Sequence, residues 1–76
     1  MVKVYSMQGC PWCDKTKKYL QSKGVEFEVH NIDDNEDDLK ACIDLSGDSA
    51  VPVTTADDKN FVLGFDKPKL DAMLNL

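Results

Sequence analysis

The amino-acid sequence predicts an α/β fold in which a four-stranded mixed sheet packs against three helices. Alternating β-branched and aromatic residues mark two early strands, apolar residues at helical spacing follow each of them, and two short apolar runs near the end are typical of a hairpin. The predicted order is strand, helix, strand, helix, strand, strand, helix. A helix between the first two strands makes them parallel through a right-handed crossover, and the hairpin adds antiparallel strands to the same sheet.

The first strand and helix are predicted from residues 2 to 24. Val2 to Ser6 alternates and is rich in β-branched and aromatic residues, which is typical of a strand, and Gln8-Gly9 then forms a loop. Pro11 suits the first helical turn, where its missing N–H costs nothing. Side chains that recur at helical spacing continue to Leu20, and Gly24 ends the predicted helix.

The second strand and helix are predicted from residues 25 to 47. Apolar residues alternate with charged ones from Val25 to about Ile32, so we expect the acidic residues and His30 to lie on the exposed face of this strand. Asp33-Asp34-Asn35 offers caps for the second helix, and the acidic residues that follow favour a helix start over a calcium loop, whose ligand spacing is absent. Gly47 closes this helix.

The last three elements are a hairpin and a helix. Ala50 to Thr55 predicts a strand that begins beside a proline, and Phe61 to Leu63 predicts a short partner after a polar turn. Gly64-Phe65 interrupts the strand. Asp66 can cap a final helix, with Pro68 in its first turn.

The composition indicates one ordinary folded domain that spans residues 1–76. The chain has 76 residues, 42% of them hydrophobic, and a net charge of −5. No apolar run approaches the roughly 20 residues needed to cross a bilayer, and the N-terminus lacks a signal-peptide core, so we expect a cytoplasmic protein without membrane contacts. An acidic surface also disfavours nucleic acids, whose recognition depends on clustered positive charge. Proteins or small molecules that carry disulfides remain as substrates.

Positive charge is concentrated in the first third of the chain. Residues 1–25 carry five Lys and one acidic residue, whereas residues 26–76 carry four Lys and thirteen acidic residues. Lysines toward the C-terminus of a helix complement its dipole, so helix stability and solubility account for most of this cluster.

Two cysteines, Cys10 and Cys13, lie at the predicted N-terminus of the first helix. The free N–H groups and the dipole at this end stabilise a thiolate, which is the form that attacks disulfides. We expect Cys10 to be the nucleophile and Cys13, one turn further in, to resolve the mixed disulfide. Pro11 rigidifies the turn, and Trp12 either offers an aromatic surface to a partner or packs partly buried. The pattern predicts a dithiol–disulfide oxidoreductase.

Zinc is an alternative ligand for the same thiols. Cys10 and Cys13 could bind it together with His30 and Cys42. Sites of this kind usually bring the second pair close together in the sequence, whereas these two residues lie twelve positions apart. Cys42 also falls on the apolar stripe of its helix, where a free cysteine commonly acts as a small buried hydrophobe. We therefore predict no metal site.

Three motifs together resemble the glutaredoxin and NrdH-type redoxin branch of the thioredoxin superfamily. They are Cys10-Pro11-Trp12-Cys13, Ala50-Val51-Pro52 and Gly64-Phe65-Asp66. The resemblance covers nearly the whole chain and implies a thioredoxin-like fold. It also implies that Pro52 is cis beside the dithiol and that the Val51 backbone pairs with a bound substrate. The residues it assigns to substrate or thiol binding are Pro11, Trp12, Val51, Pro52, Gly64, Phe65 and Asp66.

The resemblance leaves the electron donor open. Typical glutaredoxins carry Lys or Arg three residues before the first cysteine, to hold a glutathione carboxylate, and Gly-Gly before the last helix; this chain has Met7 and Leu63-Gly64. Asp66, in contrast, matches an acid that meets the glutathione amino group.

We expect no bound cofactor, and either a flavoprotein disulfide reductase or glutathione as the donor, with Met7 favouring the reductase. Acceptors would be protein disulfides, such as those of ribonucleotide reductase or a peroxidase. We expect a monomer. The alternative function is an iron–sulfur or zinc module in which glutathione or a second chain completes the ligands.

Overall fold

Seven elements follow one another in the computed structural model, which describes residues 1–76. The strands form one sheet in the order β2-β1-β3-β4, in which β1 and β2 are parallel and the other neighbouring pairs are antiparallel. This arrangement confirms the predicted fold class and element order. The elements are β1 (Val2–Ser6), α1 (Pro11–Ser22), β2 (Phe27–Asn31), α2 (Glu36–Ser46), β3 (Val53–Thr55), β4 (Phe61–Leu63) and α3 (Lys67–Leu74).

The helices α2 and α3 begin, and α2 ends, at the capping residues that the sequence predicts. The Asn35 side chain accepts hydrogen bonds from the first turn of α2, and Gly47 ends that helix in the left-handed conformation, at a φ of 81° that favours glycine. Asp66 caps α3 by accepting the N–H of Lys69. None of the three helices is both long enough and apolar enough to cross a membrane.

The sheet is covered on both faces. On one face Tyr5 and Val53 pack with Cys42 of α2 and with Ile32, which lies just beyond β2. Because side chains alternate along a strand, Val4, Thr54 and Val62 face the other side. Buried side chains of α1 and α3 complete the core there: Cys13, Thr16, Leu20 and Leu70.

Two strands begin later than predicted, for local reasons. β2 starts at Phe27 instead of Val25, because the N–H of Val25 is still bonded to the carbonyl of Leu20 at the end of α1. β3 starts at Val53 instead of Ala50, directly after Pro52, which has no N–H to donate to a strand ladder.

The predicted exposure of His30 is wrong, and Val29 is more exposed than the alternating pattern of β2 indicates. The His30 side chain is only 26% exposed, because its Nδ1 bonds Asp38 Oδ1 at 2.9 Å and its ring packs on Tyr5 under the first turn of α2. Val29, on the opposite face, is 43% exposed because β2 is an edge strand and has a neighbouring strand on one side only.

Candidate functional site

The two cysteines of the Cys-Pro-Trp-Cys motif meet at the N-terminus of α1. Cys10 is the N-cap residue and Pro11 occupies the first turn. Cys10 and Cys13 form a disulfide with Cα atoms 5.2 Å apart, inside the range that a disulfide needs. The Cys13 N–H points at the Cys10 sulfur, with N and Sγ 3.2 Å apart. A donated N–H and the helix dipole both favour negative charge on that sulfur once the disulfide is reduced.

The two sulfurs differ in accessibility. Cys10 is partly exposed, whereas Cys13 is 0% exposed and belongs to the core beneath α1. An external disulfide can therefore reach Cys10 and not Cys13. Cys13 can reach only what is already bonded to Cys10, which is the geometry that nucleophile and resolving thiol require.

The loop that leads into Cys10 is held by carboxylates from the β2–α2 connection. The backbone N–H of Gln8 donates to Asp33 Oδ2 at 3.1 Å, and its side-chain amide reaches Asp34 Oδ2 at 3.4 Å. Met7, in the same loop, is 39% exposed. The loop before Cys10 and the β2–α2 connection that holds it thus carry two carboxylates and no Lys or Arg.

A groove of about 320 Å³ lies beside the motif, and Trp12 forms one of its walls. The Val51–Pro52 peptide bond is cis, as the resemblance implied, and the carbonyl of Pro52 accepts the N–H of Gly64 at 2.8 Å. Gly64 has a φ of 79°, a conformation that a residue with a Cβ rarely adopts. This hydrogen bond joins two of the sequence motifs at the groove. The lining residues are Trp12, Val51, Pro52, Gly64 and Phe65.

The backbone of Val51 is free to pair with another strand. Neither its N–H nor its carbonyl forms a hydrogen bond within the chain, whereas the carbonyl of the next residue, Pro52, accepts the N–H of Gly64. An extended segment laid along the groove could satisfy both groups, as strands added to a sheet edge do.

Asp66 lies next to the groove without lining it. One carboxylate oxygen accepts the N–H of Lys69 as the helix cap, and the other lies 4.0 Å from the Lys69 Nζ. The carboxylate of Asp66 is thus already hydrogen-bonded and ion-paired within α3.

Three side chains that the sequence analysis did not single out lie against the aromatic residues that line the groove. Lys15 Nζ lies 4.3 Å from the centroid of the Trp12 ring, and Tyr19 contacts Phe65 edge to face. Lys67 Nζ lies 5.7 Å from the Phe65 centroid. The i, i+3 spacing of Trp12 and Lys15 on one helix could have indicated the first contact. No local pattern links Tyr19 to Phe65.

The zinc set does not assemble. Cys42 is 0% exposed beneath α2, where burial raises the pKa of its thiol, and His30 is bonded to Asp38. No three His, Cys, Asp or Glu side chains are grouped so that they could hold a metal ion. The arrangement of side chains gives no support to metal binding by the motif.

A larger groove, of about 460 Å³, lies between the β3–β4 hairpin and α3. Its lining includes Phe61, Val62, Lys69 and Met73 but no cysteine or histidine. Disulfide exchange needs a thiol, and the smaller groove is the one lined by a residue of the Cys10–Cys13 motif, Trp12, so it is the candidate site.

Comparison with known proteins agrees with this geometry. The glutaredoxin family model matches residues 2–62. An uncharacterized glutaredoxin-like 8.6 kDa protein in the rubredoxin operon of Clostridium pasteurianum is 40% identical over 74 residues, which is 97% of each chain.

Two solved structures share the fold. Glutaredoxin Grx-1 from Archaeoglobus fulgidus superposes with a TM-score of 0.86 at 32% identity, over 99% of this chain and 86% of that one. The glutaredoxin-like NrdH-redoxin from Escherichia coli, described as having a thioredoxin-like activity profile, superposes with a TM-score of 0.82 at 25% identity, over 95% and 92% of the two chains. With its dithiol at the start of α1 and a family match over most of its length, this chain belongs to the glutaredoxin family.

Proposed function

We propose that this chain carries two electrons from a flavoprotein disulfide reductase to disulfides of other proteins. The observation that supports this proposal most is the pairing of an accessible Cys10 with a buried Cys13 beside a groove with a free backbone edge at Val51. Thiol–disulfide exchange needs a nucleophile that a substrate can reach and a second thiol that only the intermediate can reach.

The reaction would proceed in two exchanges. The Cys10 thiolate attacks one sulfur of the substrate disulfide, forming a Cys10–substrate bond and releasing the other sulfur as a thiolate that takes up a proton. Cys13 then loses its proton and attacks the Cys10 sulfur, which releases the second substrate thiol. The substrate gains two electrons and two protons, and the Cys10–Cys13 disulfide forms. The reductase returns two electrons to close the cycle.

The remaining site residues would orient the substrate. Pro11 sets the first turn of α1, and Trp12 and Phe65 form the walls of the groove. The backbone of Val51, held by the cis bond to Pro52, would pair with an extended stretch of the substrate. Gly64 fixes the opposite side through its hydrogen bond to the Pro52 carbonyl, and Asp66 starts α3 beside it.

The charges around the dithiol favour a reductase over glutathione as the donor. Glutathione carries two carboxylates, and a site for it would place a cation near the loop before Cys10. Here Met7 is uncharged, and Asp33 and Asp34 hold the loop beside it. The thioredoxin-like activity profile of the Escherichia coli NrdH-redoxin, a structural relative, points the same way.

We further propose that the chain acts as a cytoplasmic monomer of one domain. Its acceptors would be enzymes that form a disulfide in each turnover, such as ribonucleotide reductase or a peroxidase. The chemistry requires only that the acceptor cystine be accessible in an extended segment.

The test is an NADPH-coupled assay of insulin reduction with either thioredoxin reductase or glutathione plus glutathione reductase as donor. We expect the wild-type chain to turn over faster with thioredoxin reductase. Cys10→Ser should reduce the rate to that of the uncatalysed reaction, because no accessible thiol remains. Cys13→Ser should accumulate a mixed disulfide that mass spectrometry detects.

Cys42→Ala, which leaves the dithiol intact, is the matched control and should retain activity. Undiminished activity of Cys10→Ser would contradict the mechanism. Faster turnover with glutathione than with the reductase would contradict only the proposed donor.

A further inference from the structure

Phe65 lines the groove beside the dithiol, and its own backbone does not hold it there. Its N–H and carbonyl form no hydrogen bond within the chain, although Gly64 before it bonds to the Pro52 carbonyl and Asp66 after it caps α3. The position of the Phe65 ring in the groove therefore depends on what the side chain packs against.

The side chain that supports Phe65 is Tyr19 of α1. The two rings meet edge to face, with centroids 5.9 Å apart and planes at 73°, which is a favoured arrangement of aromatic pairs. Tyr19 lies seven residues after Trp12, which is two turns of the same helix, so both side chains lie on one side of α1. One rigid element thus carries Trp12 into the groove and supports Phe65, which lines the same groove.

A hydrogen bond to another helix fixes Tyr19 itself. Its hydroxyl donates to Asp71 Oδ1 on α3, and this hydrogen bond raises the pKa of the phenol, which therefore remains a donor at neutral pH. The Asp71 carboxylate forms no ion pair with a Lys or His, so Tyr19 is its side-chain partner. Tyr19 thus ties α1 to α3, the helix that begins just after Phe65.

We propose that Tyr19 is a positioning residue for disulfide exchange: held by Asp71, it keeps Phe65 where the groove can accept a substrate segment. A groove that is formed before the substrate arrives binds it more tightly, because no wall has to be ordered on binding. Without the hydroxyl, Phe65 would take other positions, and the groove would be ready in a smaller fraction of molecules. This inference rests on the proposed function, since it concerns the groove that serves the same dithiol.

The test is the variant Tyr19→Phe, which keeps the ring and removes the hydroxyl. Reduced protein is mixed with an excess of a synthetic peptide that contains one internal disulfide, and its single turnover is followed by the fluorescence of Trp12, the only tryptophan. The peptide concentration that gives half the limiting rate should rise about fivefold, as the loss of one hydrogen bond would give, with the limiting rate unchanged. The rate constant for hydroxyethyl disulfide, which has no extended segment to lie along the groove, should also be unchanged.

Variants of Asp71 and a matched control separate positioning from a general loss of stability. Asp71→Asn keeps an oxygen that can accept the hydroxyl and should behave like wild type, whereas Asp71→Ala should reproduce the effect of Tyr19→Phe. Because the two residues act through one bond, the double variant Tyr19→Phe/Asp71→Ala should be no worse than either single variant. Tyr5→Phe removes the same group from the core beneath α2, on the other face of the sheet, and should leave both reactions unchanged.

A half-saturating peptide concentration equal to that of wild type in Tyr19→Phe would overturn the inference and leave the proposed function standing. Three other results also overturn the inference: equal losses with the peptide and with hydroxyethyl disulfide, additive losses in the double variant, and a rise as large in Tyr5→Phe. Failure of the wild-type protein to react with either disulfide would overturn the proposed function itself.

Discussion

Cys10, Cys13 and Cys42 carry the same functional group, and their surroundings give each thiol a different reactivity. Cys10 is partly exposed and accepts an N–H at its sulfur. Cys13 is buried three residues further along the same helix. Cys42 lies in the core beneath α2, where burial raises the pKa of its thiol and keeps it protonated at neutral pH. Disulfide exchange follows from the first two environments, and a packing role from the third.

Alkylation of the reduced protein tests this ranking. Iodoacetamide at neutral pH should modify Cys10 first, because it combines access with a stabilised thiolate, while Cys42 should react only as fast as the chain unfolds. Mass spectrometry of proteolytic fragments over time gives the three rates, and a sample in concentrated urea, in which all three should react alike, is the control. Modification of Cys42 at the rate of Cys10 in the native protein would contradict the assignment of Cys42 to the core.

At the scale of elements, each helix begins at a residue whose side chain caps it. In α2 the Asn35 Oδ1 accepts the N–H groups of Asp37 and Asp38, at 2.8 and 3.3 Å. The side chain of Asp38 then bonds His30 on β2. The cap therefore sets both where α2 starts and where it contacts the sheet.

Removing this cap should weaken the fold measurably. Asn35→Ala leaves two N–H groups of α2 without their acceptor and should lower the free energy of unfolding by about 1 kcal/mol. Urea denaturation of the oxidised protein, followed by circular dichroism, measures the change. Asn35→Ser restores an oxygen acceptor and should recover most of the loss. If Asn35→Ala and Asn35→Ser unfold at the wild-type midpoint, the cap has no energetic role.

At the scale of the whole molecule, several groups that couple stability to pH lie away from the dithiol. The N–H groups of Asn60 and Lys59 donate to the Asp57 carboxylate in the hairpin turn and hold its pKa below the ordinary value. Such a group stabilises the fold at neutral pH, and this stabilisation is lost as the pH falls toward the folded-state pKa. Cys42 gives the opposite pH dependence, because burial raises the pKa of its thiol. The stability that the buried thiol contributes is complete at neutral pH and is lost as the pH rises through the alkaline range.

We expect the oxidised protein to lose stability on acidification, in part through Asp57. Asp57→Asn keeps an oxygen acceptor but cannot titrate, so it should be less stable than wild type at neutral pH and lose less stability between about pH 7 and about pH 3. Asp44→Asn removes the same charge from an exposed position that accepts no hydrogen bond and is the control. The midpoints of urea unfolding, measured at several pH values in this range, give the slope of stability against pH for each protein. Equal slopes for wild type and Asp57→Asn would show that Asp57 does not contribute to the loss of stability on acidification.

By itself the sequence determined the order of the elements, most helix ends and the position of the dithiol. These features depend on signals carried by a few adjacent residues, such as Asn35 before α2 and Pro11 after Cys10. Only the tertiary structure decided the burial of His30 and the exposure of Val29. It also decided that Phe65, which contacts Tyr19, would line the same groove as Trp12. Those outcomes depend on which strand lies at the edge and which helices cross each face, so they join residues far apart in the chain that no local pattern connects.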